Sequence, residues 1–148
     1  MMEFGLGSRK KNVEERYPNN AVVTLPALEE GKRTRILFNT KAYEVMGLTQ
    51  NEENEVAFSS DMENNLFIIN ANNYDSSANL TLRKNSTIAN KIHYKAIKSI
   101  FFKNENEELN LEITETTNEF DGKKIYQLVL FKPTETQDKL ITQKENIE

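Results

Sequence analysis

The chain has 148 residues, 37 % of them hydrophobic, a formal net charge of −4 and no cysteine. A chain of this length buries roughly two thirds of its unfolded surface in a single core and is short for two ordinary domains. Without Cys there is no disulfide, no thiolate nucleophile and no thiolate metal ligand, so packing alone holds the fold and a reducing compartment is expected.

Residues 1–20 hold Gly5, Gly7, Ser8, the run Arg9-Lys10-Lys11 and Pro18 with hardly any apolar periodicity, which predicts a flexible basic arm. The start lacks the apolar run of a signal peptide, and no later stretch is long and apolar enough to cross a bilayer. A soluble protein without membrane contact is expected, in the cytoplasm or, for a phage product, in the host cytoplasm or virion. The β-branched residues of Ala21–Leu28 predict a strand near a sheet edge, because Pro26 cannot donate to a ladder. After a turn at Gly31, Thr34–Phe38 is the next strand. Asn39 or Thr40 then caps a helix through Lys41–Met46, which Gly47 ends in left-handed geometry. Glu55–Ser60 and Leu66–Ala71 are strands joined by DMENN, with Asn64 or Asn65 suited to positive φ.

The second half repeats this order. Asn79–Lys84 alternates as a half-buried strand, and Asn85 or Ser86 is placed to cap a helix whose buried stripe is Ile88, Ile92 and Ala96. Ile100–Phe102, the polar turn KNENEE, the strand LNLEIT, the turn FDGK and the strand IYQLVLF follow. Residues 133–148 are expected to be a flexible tail. Aligned, Asn39-Thr40 matches Asn85-Ser86, Met46 matches Ile92, Phe58 matches Phe102, and Leu66–Ile69 matches Leu109–Ile113. The expected fold is therefore mainly β (α+β): one globular domain over 21–132, a small barrel or sandwich of two β-α-β-β halves (about 21–72 and 79–132), in the manner of a single-chain pseudo-dimer.

The stretch RTRILFNTKAYEVMGL…NEVAFSSD…NNLFIINA, within residues 33–71, resembles the AbrB/MazE-type swapped-hairpin regulators. Val45-Met46-Gly47-Leu48 fits the turn that ends that family's short helix, and Val56 and Phe58 fit the strand after it. Phe38-Asn39 stands where the family carries a Pro, and Glu52-Glu53-Asn54 where it carries Gly-Asp. The resemblance implies a DNA-binding regulator in which two such units interleave into one barrel. The Asn-, Lys- and Glu-rich composition is similar to that of small phage proteins.

Catalytic chemistry has little to stand on. His93 is the only histidine, no Gly-rich phosphate loop or HExxH motif occurs, and Asp61, Glu63 and Asn64 lack the glycine and final glutamate of a calcium loop. A non-enzymatic protein without metal or cofactor is expected.

Charge is blocked along the chain. Residues 49–78 hold six acids and no base, 79–103 six bases and no acid, and 104–122 seven acids and no base. Arg83, Lys84, Lys91 and Lys95 suit phosphate contact and Tyr94 suits base stacking, while Lys32, Arg33, Arg35 and Lys41 occupy the matching place in the first unit. These nine residues are the candidate nucleic-acid site, for DNA or RNA. The alternative is a structural or assembly protein, a phage virion component among the options, in which these cations face acidic turns of the same chain or of neighbouring copies.

Overall fold

The computed structural model describes residues 18–132, so the predicted tail, and the predicted arm apart from Pro18–Asn20, lie outside the described residues. Among the described residues, seven antiparallel strands form one sheet curled into a half-barrel, accompanied by two helices. In chain order these are β1 (Val22–Leu25), β2 (Leu37–Phe38), α1 (Thr40–Met46), β3 (Asn54–Ser60), β4 (Leu66–Asn70), β5 (Leu80–Leu82), α2 (Ile92–Ile100), β6 (Leu109–Phe120) and β7 (Lys123–Leu130). The sheet order is β2-β1-β6-β7-β4-β3-β5.

Local chemistry explains most of the boundaries. β1 stops at Leu25 because Pro26 has no N–H to continue the ladder. Asn39 caps α1, its Oδ1 accepting from the Ala42 N–H at 2.9 Å and from the Val22 N–H at 3.0 Å, which also ties the helix to β1. Gly47 closes α1 at φ 69°. The β3–β4 turn has Asn64 at φ 63°, with the Asp61 carboxylate accepting from the N–H groups of Glu63 and Asn65. Asp121 (φ 52°) and Gly122 (φ 76°) form the two-residue turn between β6 and β7.

The second predicted helix starts later than expected. Asn85 and Ser86 do not cap a helix; Ser86 (φ 68°) sits in a tight turn, its N–H donating to Arg83 O at 2.8 Å. α2 begins at Ile92, whose N–H donates to Asn90 Oδ1. Its buried face is Tyr94, Ile97 and Lys98, whereas Ile92 and Ala96 are exposed and Ile88, although buried, precedes the helix. The helix ends at Ile100, with Phe101 as its C-cap and Phe102 in the turn that follows.

Short segments beyond the two edge strands stitch the half-barrel at one point. Ile36 N–H donates to Ser86 O at 3.0 Å, Ile88 N–H donates to Thr34 O at 3.0 Å, and Arg35 bridges Thr87. Inside, Val23, Leu25, Ile36, Val56, Ile68, Leu82, Leu109, Leu111, Tyr126 and Leu128 form a continuous core with Ala42 and Met46 of α1 and Tyr94 and Ile97 of α2.

With β1 set aside, the order β2-β6-β7-β4-β3-β5 reads the same backwards when β2, β3 and β4 exchange with β5, β6 and β7. The two strand–helix–hairpin units thus occupy equivalent places about the central β4–β7 pair, in which Phe67 lies opposite Gln127. The equivalences differ from those expected. β4 corresponds to β7 rather than to Leu109–Ile113, and β3 to β6 rather than to the segment around Phe102.

Candidate nucleic-acid interface

Thr34 and Ile36 point into the core, so the alternation of an extended chain turns Arg33 and Arg35 outward together. The Arg35–Thr87 bridge sets this segment against the turn that follows β5, where Arg83 and Lys84 are both exposed. Asn85 Oδ1 holds the turn by accepting from the Thr87 hydroxyl at 2.6 Å and the Thr87 N–H at 3.2 Å. Two basic runs 50 residues apart in sequence therefore share one rim of the half-barrel. Arg33, Arg35, Arg83 and Lys84 have no ion pair with any described residue. Beside Arg33 and Arg35 lies an open cleft of about 390 Å³, lined also by Pro26–Glu29 and Lys32.

Of the other five predicted residues, Lys32 lines the same cleft but is paired, and Lys41, Lys91, Tyr94 and Lys95 stand apart from this rim. Lys32 Nζ pairs with Glu29 at 2.9 Å, Lys41 with Glu44 at 3.8 Å, and Lys95 with Glu105 at 3.1 Å, all with exposed or half-exposed side chains. Hydrogen bonding to Glu29, and then its charge, raises the Lys32 pKa. Lys91 is exposed and unpaired among the described residues, at the N-terminal boundary of α2.

Tyr94 corrects the expectation most sharply. It is fully buried, and its hydroxyl donates to Pro26 O and, at 3.3 Å, to Glu105 O, so its ring is closed to a base. Burial, with a smaller contribution from Glu105, pushes its pKa up to about 12. The periodicity that buries it is i, i+3, i+4 over Tyr94, Ile97 and Lys98, a pattern hidden because the third member is a lysine. Lys98 is 1 % exposed and forms no ion pair with a described residue. Its ammonium donates to the carbonyls of Pro26 (3.3 Å), Glu105 (3.1 Å) and Glu107, and lies 4.5 Å from the centre of the Tyr94 ring. Desolvation lowers its pKa, against the raising influence of Glu107, Glu105 and Glu108.

The aromatic that α2 does offer to solvent is Phe102. It is 94 % exposed and holds φ 56° just past the helix end, where Lys103 N–H donates to Lys98 O at 2.8 Å. A bulky side chain in left-handed backbone is uncommon and stores local strain. His93 is half-buried with its ring 6.3 Å from that of Phe58, and its Nδ1 has no hydrogen-bond partner.

Among the described residues no group of three or more His, Asp and Glu side chains is arranged to hold a metal ion, and no helix is long and apolar enough to cross a membrane. Comparison with protein-family models, with curated proteins and with solved structures found no match.

Proposed function

We propose that the chain is a non-enzymatic nucleic-acid-binding module that grips phosphates with the rim formed by Arg33, Arg35, Arg83 and Lys84. The observation that carries this reading is the backbone bridge between Arg35 and Thr87, which sets Arg33 and Arg35 beside Arg83 and Lys84, four cations without an ion pair among the described residues. A cation without a carboxylate partner has no intramolecular bond to give up when it meets a phosphate, and its counterion release drives association. The resemblance of residues 34–71 to swapped-hairpin DNA-binding regulators supports the same reading. Phe102 takes the stacking role expected of Tyr94, since it presents a solvated aromatic face at the end of α2, although its neighbour Lys103 is paired with Glu107.

Fluorescence anisotropy of labelled single-stranded and duplex DNA at two salt concentrations tests this. Four phosphate contacts give a log–log salt slope of about −2.8 on a single strand and about −3.6 on duplex, so affinity falls about 50-fold or about 150-fold from 50 to 200 mM salt. The double variant R35A/R83A removes two contacts and is expected to halve the slope while leaving the fold intact. Absence of binding at 50 mM salt, or an unchanged slope in that variant, overturns the reading.

Assembly through complementary faces is the second reading, and one arrangement favours it. β3 runs from Asn54, level with Leu82 beside Arg83, to Ser60 beside the acidic turn Asp61–Glu63. The Ser60 end of this strand, about 23 Å long, is thus purely acidic, while the Asn54 end sets Arg83 and Lys84 beside exposed Glu52 and Glu53. Light scattering across ionic strength distinguishes the two: oligomers that dissociate with salt and ignore DNA support assembly.

A further inference from the structure

The sheet face turned away from the core carries an apolar groove unrelated to the basic rim. β4 has the sequence LFIIN, so both its faces are apolar: Leu66 and Ile68 enter the core, while Phe67 and Ile69 project from the outer face. Ile125 of β7 joins them to floor a cavity of about 550 Å³, within the roughly 300–1,000 Å³ of sites that hold a ligand or a few side chains. Tyr74 and Phe120 close one end, meeting edge to face with ring centres 6.3 Å apart, and Phe120 is still 51 % exposed. Ser59 and Asn118 add polar groups to the margins.

The groove runs along β4 between two acidic ends. At the β3–β4 turn stand Asp61 and Glu63, both exposed. At the other end the loop after β4 brings Asp75 beside Tyr74, and the β6–β7 turn brings Glu119 and Asp121 beside Phe120, all exposed. One cation, Lys123, stands at this end, its ammonium 5.4 Å from the centre of the Tyr74 ring, while Lys124 is paired with Glu115. Between Asn65 and Ala71 the chain extends about 20 Å.

This frame selects among occupants. An anionic amphiphile or a nucleic acid is repelled from both ends, and a second copy docked groove to groove about a two-fold axis sets acid against acid. The basic rim of a second copy exposes no large apolar residue between Arg33, Arg35, Arg83 and Lys84 to fill the floor. A single-headed amine answers one acidic end and leaves the other unmatched. Two acidic ends with an apolar floor between them match an extended chain that carries cations at both ends and apolar side chains two residues apart in its middle, because alternate residues of an extended chain share a face.

We propose that the groove docks a partner protein through an extended segment in which two alternate apolar residues are flanked on both sides by Lys or Arg. The apolar pair lies on Phe67, Ile69 and Ile125, and the flanking cations meet Asp61 and Glu63 at one end and Asp75, Glu119 and Asp121 at the other. Fluorescence anisotropy of a labelled synthetic peptide, RKGLTVGKR, titrated with the full chain tests this. The peptides EEGLTVGEE and RKGSTSGKR, which reverse the charge or remove the apolar pair, are each expected to bind weaker by about tenfold or more. I125K puts a cation on the floor and is expected to weaken binding of RKGLTVGKR by about tenfold or more. E63K/E119K changes one exposed acid at each end and is expected to weaken it several-fold at low salt and little at high salt. R35A/R83A is expected to bind the peptide as wild type does, which separates this site from the phosphate rim. Absence of binding at 50 mM salt, equal binding of the three peptides, or an affinity that neither groove variant moves in chains whose circular dichroism is unchanged, overturns the proposal. So does light scattering that shows oligomers of the peptide-free chain broken by I125K, which makes a second copy the occupant.

Discussion

Replacing Lys98 tests whether a buried ammonium holds the loop after α2 in place. Its Nζ serves three main-chain carbonyls, and Tyr94 OH also serves two of these, Pro26 O and Glu105 O, so Glu107 O is the one left without a donor when the amine is removed. Hydrogen bonds to a charged group contribute about 1.5–3 kcal/mol each, while taking an ammonium out of water costs several kcal/mol. These large quantities nearly cancel, so the net effect of K98M, which keeps the apolar stem, reduces to one orphaned carbonyl. That is about 1–3 kcal/mol of lost stability. K98A adds a cavity and loses about 3–5 kcal/mol in all. Urea unfolding followed by circular dichroism measures both. The pH dependence has a definite sign, because burial lowers the folded pKa below the ordinary 10.5. Between the lowered value and 10.5 the unfolded chain binds more protons than the folded one, so this group's contribution to stability grows as pH rises through that window and shrinks as pH falls. The gap between wild type and K98M should therefore widen on the way to pH 10.5. A K98M chain as stable as wild type at pH 7, or a gap that closes with rising pH, refutes the reasoning.

Two further outcomes follow from neighbouring residues. Tyr94 has its pKa raised from 10.0 to about 12, so its contribution to stability is complete below pH 10 and is lost between pH 10 and 12. Y94F is expected to cost about 1 kcal/mol at pH 7, with Lys98 still donating to both carbonyls that lose the hydroxyl. The urea midpoint of Y94F should then fall less steeply than that of wild type from pH 10 to 12; equal slopes count against the assignment. Phe102 holds left-handed backbone with its side chain 94 % exposed, so F102G removes strain without removing packing. It should stabilise the chain by about 0.5–1 kcal/mol and weaken single-stranded DNA binding by about 1–3 kcal/mol if the ring stacks on a base. Higher thermal stability with unchanged anisotropy leaves the phosphate rim standing and removes the stacking role.

Local signals in the sequence located most of the elements and misplaced the register between the two halves. Asn39, Gly47 and Asn64 each act through a hydrogen bond or a φ that the residue type favours, and each stands where that chemistry placed it. Asn85 and Ser86 carry the same cap chemistry but are used in a turn, because the bond that matters there is the long-range one from Ile36 N–H to Ser86 O. No local pattern encodes that bond, and placing the helix start five or six residues too early misaligned the later elements of the second unit against the first. The α2 stripe was obscured for a related reason. A lysine in the buried face looks like a solvent residue until the carbonyls of Pro26, Glu105 and Glu107 are brought to it from two other segments.

The candidate site divides along the same line between local and long-range causes. Helical cations found acids within one turn or in the loop folded beside them: Lys41 found Glu44, and Lys95 found Glu105. Arg33, Arg35, Arg83 and Lys84 lie on alternating or turn backbone and remain ion-pair-free among the described residues, Arg33 despite Glu29 and Glu30 just before it. Blocked charge in the sequence thus overstates the usable patch, since it counts cations already neutralised at short range. What selects the remainder is the bridge at Arg35 and Thr87, a tertiary contact that gathers unneutralised charge where the curled sheet is stitched. The same principle accounts for the apolar groove. LFIIN shows no alternation, and a strand apolar on both faces calls for cover on both. The core covers one face of β4, while the other retains an open groove between the Tyr74 loop and the turn at Phe120.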